Sequence, residues 1–582
     1  MTIAVDSPAL LAAKQAQERI NAALDGGRSF RLEAGAGAGK TYSLLAALKR
    51  LVAERGHALV KAGQKVACIT FTEVARNEIA QEIEDHPAIL VETIHAFSWS
   101  FLGQFQNALR DIVKATEHYK DKIEQGGGVA TKRVEYDLGF FRVGADTISL
   151  SHDDIPRIMA ELLTQEKFRR LFAQKFPIIF IDEYQDTDRG FMSAITENFL
   201  KNGAGPLIGL FGDHWQTIYR SEYELVDYPI EGIYKGSNFR SVPAVVNVLN
   251  RLRPDLLQAV SDPDAVGEAR FFHANSYSGA RTNESHSKGD LPPDLARATL
   301  QALVARLETE GWDRSKTKIL ILTHNVLAAE QGYPKIVEIF DGRNELFVKK
   351  EDPAIKFFAE VIEPVCSAYS DARYGEMFKL LGVAPSIQRQ SDKAAWRQDM
   401  DKLQQLRLND TIGAVIDHLR ATKRPTPPDR VLRRDDELLI FAGQDLPEDA
   451  STSLKRYREL RDVRYAEVIE VVKFIERKTP FATQHSVKGA EYENVLVVLG
   501  GGWNHYNWPQ LLELIETKAL TGKNTKGYYR ARNLFYVSVS RPMKRLAVLA
   551  TQQMSDAALS TAQRLFGSAN VEALMISATH PV

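Results

Sequence analysis

The segment AGAGAGKT, residues 34–41, constrains this chain more than any other. It fits the pattern [AG]-x-x-x-x-G-K-T, with Ala34 where the strict form has glycine. A short β-rich run (residues 30–33) precedes it, and helical periodicity follows from Lys40 to about Arg55. Strand, glycine loop and helix in that order form a phosphate cradle. Gly35, Gly37 and Gly39 let backbone N–H groups close around phosphate oxygens, and the helix start adds its positive end. Lys40 is placed to reach the β and γ phosphates of a nucleotide, and Thr41 to ligate Mg²⁺. A second run, IIFIDEYQD (residues 178–186), supplies the partner. An apolar strand ending in two carboxylates suits a Mg²⁺-bound nucleotide, with Asp182 on the ion and Glu183 on the attacking water. Alone, such acids are often just solvated strand ends; the upstream loop makes them informative.

The pattern around these segments is strand–loop–helix–strand–helix, the rhythm of a parallel α/β sheet. Residues 8–24 read as a helix, residues 66–71 as a strand leading into a helix, and residues 178–181 and 207–211 as buried strands ending in acids. Ligands of open α/β sheets bind at the carboxyl ends of strands, so these acids converge on one crevice. Residues 98–175 interrupt the rhythm. They read as an inserted unit with a helical stretch, a glycine turn at residues 126–128, a hairpin over residues 132–150 and one amphipathic helix over residues 153–175. A polar loop (273–294), a helix (295–310) and a strand (318–323) follow. Residues 330–478 are mostly helical and charged, broken by prolines at 425–428, and end in one long helix over residues 453–478. Strands at 495–499 and 546–549 complete a second α/β pattern.

Composition matters mainly for what it excludes. The 582 residues include 74 basic and 75 acidic side chains, a net charge of −1, so any nucleic-acid groove must be a local arrangement. The two cysteines, Cys68 and Cys366, are far apart and imply neither a disulfide framework nor a zinc site. The first residues lack the pattern of a signal peptide, and no apolar run is long enough to span a bilayer. The chain reads as cytoplasmic, with no membrane partner.

From DEYQDT onward the chain resembles the UvrD/Rep-like branch of superfamily 1 helicases. LFGDHWQTIY (210–219), GSNFRS (236–241), TQHSVKGAEYENV (483–495) and LFYVSVSRPMKRL (534–546) are similar to that family's third to sixth motifs. ITFTEVARNEI (69–79) and VETIHAFSW (91–99) are similar to its two DNA-contacting segments. The resemblance implies two RecA-like lobes that clamp ATP, each with a mostly helical insertion: 1–97 with 176–230 as the first lobe, 98–175 inserted in it, 231–329 with 479–582 as the second, and 330–478 inserted there. It implies that Gln17 reads adenine, with Gln15 as a less well-spaced alternative. Phe239 and Tyr42 would stack on the two adenine faces, Tyr42 standing where many relatives have arginine. Gln216 would sense the γ-phosphate, Arg240 and Arg541 would act as arginine fingers, and Glu491 would contact the nucleotide sugar. Thr70, Phe71, Thr72, Thr93, His95, Tyr219, Thr483 and His485 would form the DNA track.

There are departures. Glu73 and Val74 stand where relatives often have asparagine and lysine, and Arg220-Ser221-Glu222 replaces a Trp-Arg-Gly run, so one base platform is missing. The second insertion lacks the family's usual opening and carries FDGRNELFVKKEDPAIKFF (340–358) instead, a compact charged region expected to dock or regulate. The implied function is an ATP- and Mg²⁺-dependent translocase or helicase on single-stranded or tailed DNA, moving 3′ to 5′, in a bacterial-type, nucleoid-associated setting. The alternative is an ATP-gated nucleic-acid sensor controlling a partner nuclease. Some short UvrD-like proteins serve that way in phage-defence systems such as Gabija, and this chain looks similar in architecture.

Overall fold

Two six-stranded sheets, every neighbouring pair parallel, organise the protein. The computed structural model describes residues 7–576 apart from 138–140, 219–227, 285–286, 323–327, 329–330, 341–344, 349, 382–388, 442–443, 448–449, 477–478 and 502–505. Tyr219 and the Arg220-Ser221-Glu222 departure lie outside the described residues.

The first sheet runs Ile89–Thr93, Val66–Thr70, Ile178–Asp182, Leu207–Gly212, Phe30–Ala34, Glu231–Lys235 in spatial order. Helices cover both faces, so its strands read as nearly continuous apolar runs. Val66–Thr70, Ile178–Asp182 and Leu207–Gly212 are buried along their whole length. Phe30, Phe180 and Phe211 meet edge to face on one side, with ring centroids 5.2–6.2 Å apart. On the other side Ile69, Ile181 and Ile208 pack on helices of the first insertion, whose core is continuous with the sheet. The second sheet runs Phe481–Thr483, Thr317–Ile321, Tyr492–Leu499, Pro542–Ala550, Glu268–His273, Val571–Ala573. Along its central strand Val495, Val497 and Leu499 join one core, while Leu496 and Val498 join the core shared with the helices of residues 331–476. The parallel α/β architecture with two RecA-like sheets is as expected.

Several local expectations change. The division placed between residues 230 and 231 is displaced, because Glu231–Lys235 is the edge strand of the first sheet, in register with Phe30–Ala34. The division after residue 97 falls inside the helix Ile94–Leu102. Among the described residues of the first insertion only Arg142–Val143 and Thr147–Leu150 are antiparallel; Arg133–Tyr136 pairs parallel with Thr147–Leu150, giving three strands in place of a simple hairpin. The amphipathic stretch 153–175 breaks into Asp154–Leu163 and Glu166–Lys175. The stretch 453–478 breaks into Thr452–Asp462 and Tyr465–Ile475. No glycine or proline marks that second break. Val463 and Arg464 are extended because they pair with the segment before another helix: Ile412 N–H donates to Val463 C=O at 2.8 Å, and Tyr465 N–H to Asp410 C=O at 2.9 Å. Tertiary hydrogen bonds outweigh the local helical pattern there.

Candidate nucleotide site between the two sheets

Gly37 and Gly39 have φ of +75° and +73°, a left-handed geometry that glycine adopts without a Cβ clash. A Cβ on Gly37 would also lie 2.8 Å from Arg240 Cβ. Gly39 caps the helix Lys40–Lys61, and no side chain satisfies that helix's first N–H groups. They are left for an anion. The loop, Lys40 and Thr41 line a cleft of about 350 Å³ together with Glu183, Gln216, Phe239, Arg240, Gly489, Glu491, Arg541 and Met543. That size falls in the range of small-molecule sites, about 300–1,000 Å³. Residues from 34 to 543 thus meet in one place.

Lys40 Nζ sits 3.4 Å from Asp182 Oδ1 and contacts Glu183 Oε1. Burial works against its charge, but the two carboxylates outweigh burial and hold the ammonium above its usual range. Burial raises Asp182 despite Lys40, whereas Lys40 and Lys488 overcome burial at Glu183 and pull it to about 2. Glu183 has φ +50°, which turns its carboxylate out of the strand end toward the cleft. Asp182 Oδ1 is buried and lacks a hydrogen-bond partner among the described residues. With the Thr41 hydroxyl it offers the hard oxygen donors that Mg²⁺ prefers.

The opposing wall is cationic. Arg541 is 1% exposed. It donates to Val537 C=O (2.8 Å), Ala490 C=O (3.2 Å), Ser540 Oγ (2.8 Å) and Gln216 Oε1 (3.4 Å). Burial, with Arg240 nearby, pushes its guanidinium down to about 9, so the site is short of negative charge. Arg240 Nε pairs with Glu491 at 2.9 Å, and its Nη1 donates to Ser540 C=O at 3.1 Å. Tyr42 and Phe239 are exposed, 72% and 44%, as rings awaiting a base would be. Gln17 does not line the cleft; it lies on the helix Pro8–Asp25, and its Oε1 is buried without a hydrogen-bond partner among the described residues.

The residues expected along a DNA track lie at or just after the carboxyl ends of Val66–Thr70, Ile89–Thr93 and Phe481–Thr483, the last two being edge strands. Thr70 and Thr93 are register partners at one edge of the first sheet, and Thr483 ends the edge strand of the second. Phe71 is exposed, and Thr72 caps the helix Glu73–Glu82 by accepting from Ala75 N–H at 3.2 Å. Glu73 is exposed in that helix's first turn. Thr70 and Thr483 are buried. His95 stacks on His152 of the insertion, with centroids 3.4 Å apart, and burial lowers it to about 4. His485 meets the Tyr506 hydroxyl at 2.8 Å and is lowered to about 4 by burial.

Sequence reasoning missed several residues of the site. Lys488 contacts Asp186, lies 3.7 Å from Glu183, and donates to Gln216 C=O at 2.8 Å, tying the second sheet to the acidic strand. Its place inside the fifth motif could have flagged it. Lys235 is buried and lowered by burial to about 8; it donates to Gly39 C=O and Ser43 Oγ, both at 2.8 Å, beside the Tyr42 ring. Tyr536 Oη accepts from Ala36 N–H at 3.2 Å, while Asn238 and Gln258 donate to Ala36 C=O. No local pattern announces these contacts.

Residues 17–222 match the family described as AAA domain. The chain is 22% identical over 685 aligned positions to Gabija protein GajB of Bacillus cereus (strain HuB5-5), covering 93% of this chain and 96% of that protein. Among the described residues no helix is long and apolar enough to cross a membrane. The chain thus carries an AAA-type nucleotide-binding domain and bears out the resemblance to UvrD/Rep-like superfamily 1 helicases.

Proposed function

We propose that the protein hydrolyses ATP between its two lobes and uses the cycle to move along single-stranded DNA, 3′ to 5′ by analogy with the family. The observation that carries this reading is the meeting of Lys40, Glu183, Gln216, Arg240 and Arg541 on one cleft. Asp182 and Glu183 pair with Lys40 much as phosphate oxygens would. A bound triphosphate draws Lys40 to itself. Glu183 then loses one of the two cations that hold it down, Lys488 remaining, so its proton affinity rises and it becomes a better acceptor for a proton from water. Arg541 and Arg240 meet the anion from the second lobe, relieving their mutual repulsion and drawing the lobes together. Mg²⁺ on Thr41 and Asp182 would neutralise charge building on the phosphates. The orphaned Gln17 Oε1 suits the exocyclic amine of adenine, and the Tyr42 and Phe239 rings suit its faces. Glu491, paired with Arg240 and lining the same cleft, would exchange that partner for the nucleotide sugar.

Both lobes must hold the strand for closure to become movement. The proposed track is Thr70, Phe71, Thr72, Thr93 and His95 on the first lobe and Thr483 and His485 on the second, with Tyr219 from the sequence. The proposed lobes are those of the sequence reading, with the first extended to Lys235. A cytoplasmic, nucleoid-associated setting fits this substrate.

A second reading is favoured by the similarity to a Gabija protein: an ATP-gated nucleic-acid sensor that controls a partner nuclease in phage defence. One experiment separates the two. ATP hydrolysis is measured with single-stranded DNA, duplex and RNA, and strand displacement is measured on tailed duplexes with and without co-purified proteins. A motor displaces strands alone. A sensor hydrolyses ATP on DNA but displaces nothing until its partner is present. Constitutive hydrolysis blind to nucleic acid refutes both.

A further inference from the structure

Arg253 ends the helix Pro243–Leu252, outside every motif of the nucleotide site. It is 1% exposed and reaches from the second lobe into the first. Its Nη1 lies 2.6 Å from Asp213 Oδ1, and its Nη2 3.8 Å from Glu33 Oε2. Both acids follow or end first-sheet strands and are essentially buried. Oxygens of Glu33 and Asp213 and a ring nitrogen of His214 lie within 4.8 Å of one another, a cluster that could hold a metal ion. Here the guanidinium supplies the positive charge instead. Trp215 of the first lobe is flanked by Arg253 at 5.2 Å and by Arg532 at 3.7 Å, both from the second lobe.

The buried pair leads directly to the cleft. Asp213 Oδ1 holds Arg253 and accepts from Trp215 N–H at 3.0 Å, while its Oδ2 accepts from the Gln216 amide Nε2 at 2.9 Å. Gln216 Oε1, thereby turned outward, accepts from Arg541. The chain Arg253–Asp213–Gln216–Arg541 starts and ends in the second lobe and passes through the first.

Resting on the ATPase reading above, we propose that Arg253 is a positioning residue, a latch between lobes that orients the Gln216 amide through Asp213 and makes its reach to the γ-phosphate conditional on lobe closure. When the lobes part, Asp213 loses its strongest partner and can swing with the amide it holds, because one carboxylate serves both. When they close, the desolvated guanidinium fixes that carboxylate in one orientation.

The test uses the full-length protein and five variants: Arg253→Met, Arg253→Lys, Gln216→Ala, and the Gln216→Ala/Arg253→Met and Gln216→Ala/Arg253→Lys doubles. Folded fraction is set by titrating sites with a fluorescent ATP analogue, and kcat and KM are measured per site. Arg253→Met should lower kcat at least about tenfold with KM changed less than about threefold, and Arg253→Lys should recover part of the loss. The double variant should be no slower than Gln216→Ala, since Arg253 acts through that amide. If the Met variant fails to fold, the Lys variant against its own Gln216→Ala double reads the same coupling. Multiplicative losses in the double, or an unchanged kcat in both Arg253 variants, would overturn the latch while leaving the ATPase reading intact. A wild type that hydrolyses no ATP under any condition would refute the ATPase reading, and the latch with it.

Discussion

Replacing Arg541 by methionine should silence the protein at little cost to its fold. Burial, with Arg240 beside it, pushes the guanidinium from its usual range down to about 9. At about 1.4 kcal/mol per tenfold change, carrying that charge costs the fold about 5 kcal/mol. A base whose folded value lies below its unfolded one imposes this cost in full at neutral pH, well under 9, and sheds it only as pH rises through that value. Against it stand three donations of 3.2 Å or shorter, to Val537, Ala490 and Ser540. At about 1.5 kcal/mol each they recover most of the cost. Methionine removes both sides, so stability should change by less than about 2 kcal/mol. Losing one partner of a buried ion pair typically costs 3–5 kcal/mol. Turnover should fall about 10³-fold or more, as for other arginines that meet transferring phosphate. Urea unfolding with and without a non-hydrolysable ATP analogue, beside steady-state hydrolysis, measures both. The analogue should stabilise wild type more than the variant, because only wild type gains a counter-charge for Arg541. A variant keeping a tenth of wild-type kcat, or losing more than about 3 kcal/mol, refutes the argument.

Lys40→Ala should bring ATP hydrolysis to background, checked by phosphate release; turnover at the wild-type rate would remove the nucleotide assignment. Burial holds His485 at about 4 against 6.5 unfolded, so it contributes stability above pH 6.5 that is lost as pH falls toward 4, up to about 3 kcal/mol. His485→Gln should flatten that part of an acid-unfolding profile. Phe71→Ala should weaken single-stranded DNA binding roughly tenfold or more, about 1–3 kcal/mol per stacked base, with ATP affinity unchanged in equilibrium titrations. Binding by wild type should also fall steeply with salt.

Chemistry compressed into short segments was legible in the sequence. The phosphate loop, the acidic strand and both arginines carry their roles in neighbouring residues, and the structure brings Lys40, Glu183, Gln216, Phe239, Arg240, Glu491 and Arg541 to one cleft. Most inner strands were legible too, because a parallel sheet covered on both faces is written as short apolar runs, whereas the edge strands and Glu268–His273 were not. The breaks at residues 164–165 and 463–464 were not, since the helical pattern runs through both.

What the sequence by itself determined is therefore the set of residues that line the candidate nucleotide cleft and the two-sheet plan, because backbone geometry, strand burial and phosphate chemistry each demand particular residue types at fixed local spacing. Only the tertiary structure decided how the halves are joined. Arg253 on Asp213, Lys488 on Asp186 and Tyr536 on Ala36 link positions 40, 302 and 500 residues apart. A guanidinium, an ammonium or a hydroxyl looks the same in sequence whether water or a buried carboxylate surrounds it. Its contribution is set by desolvation and by the partner that folding places opposite.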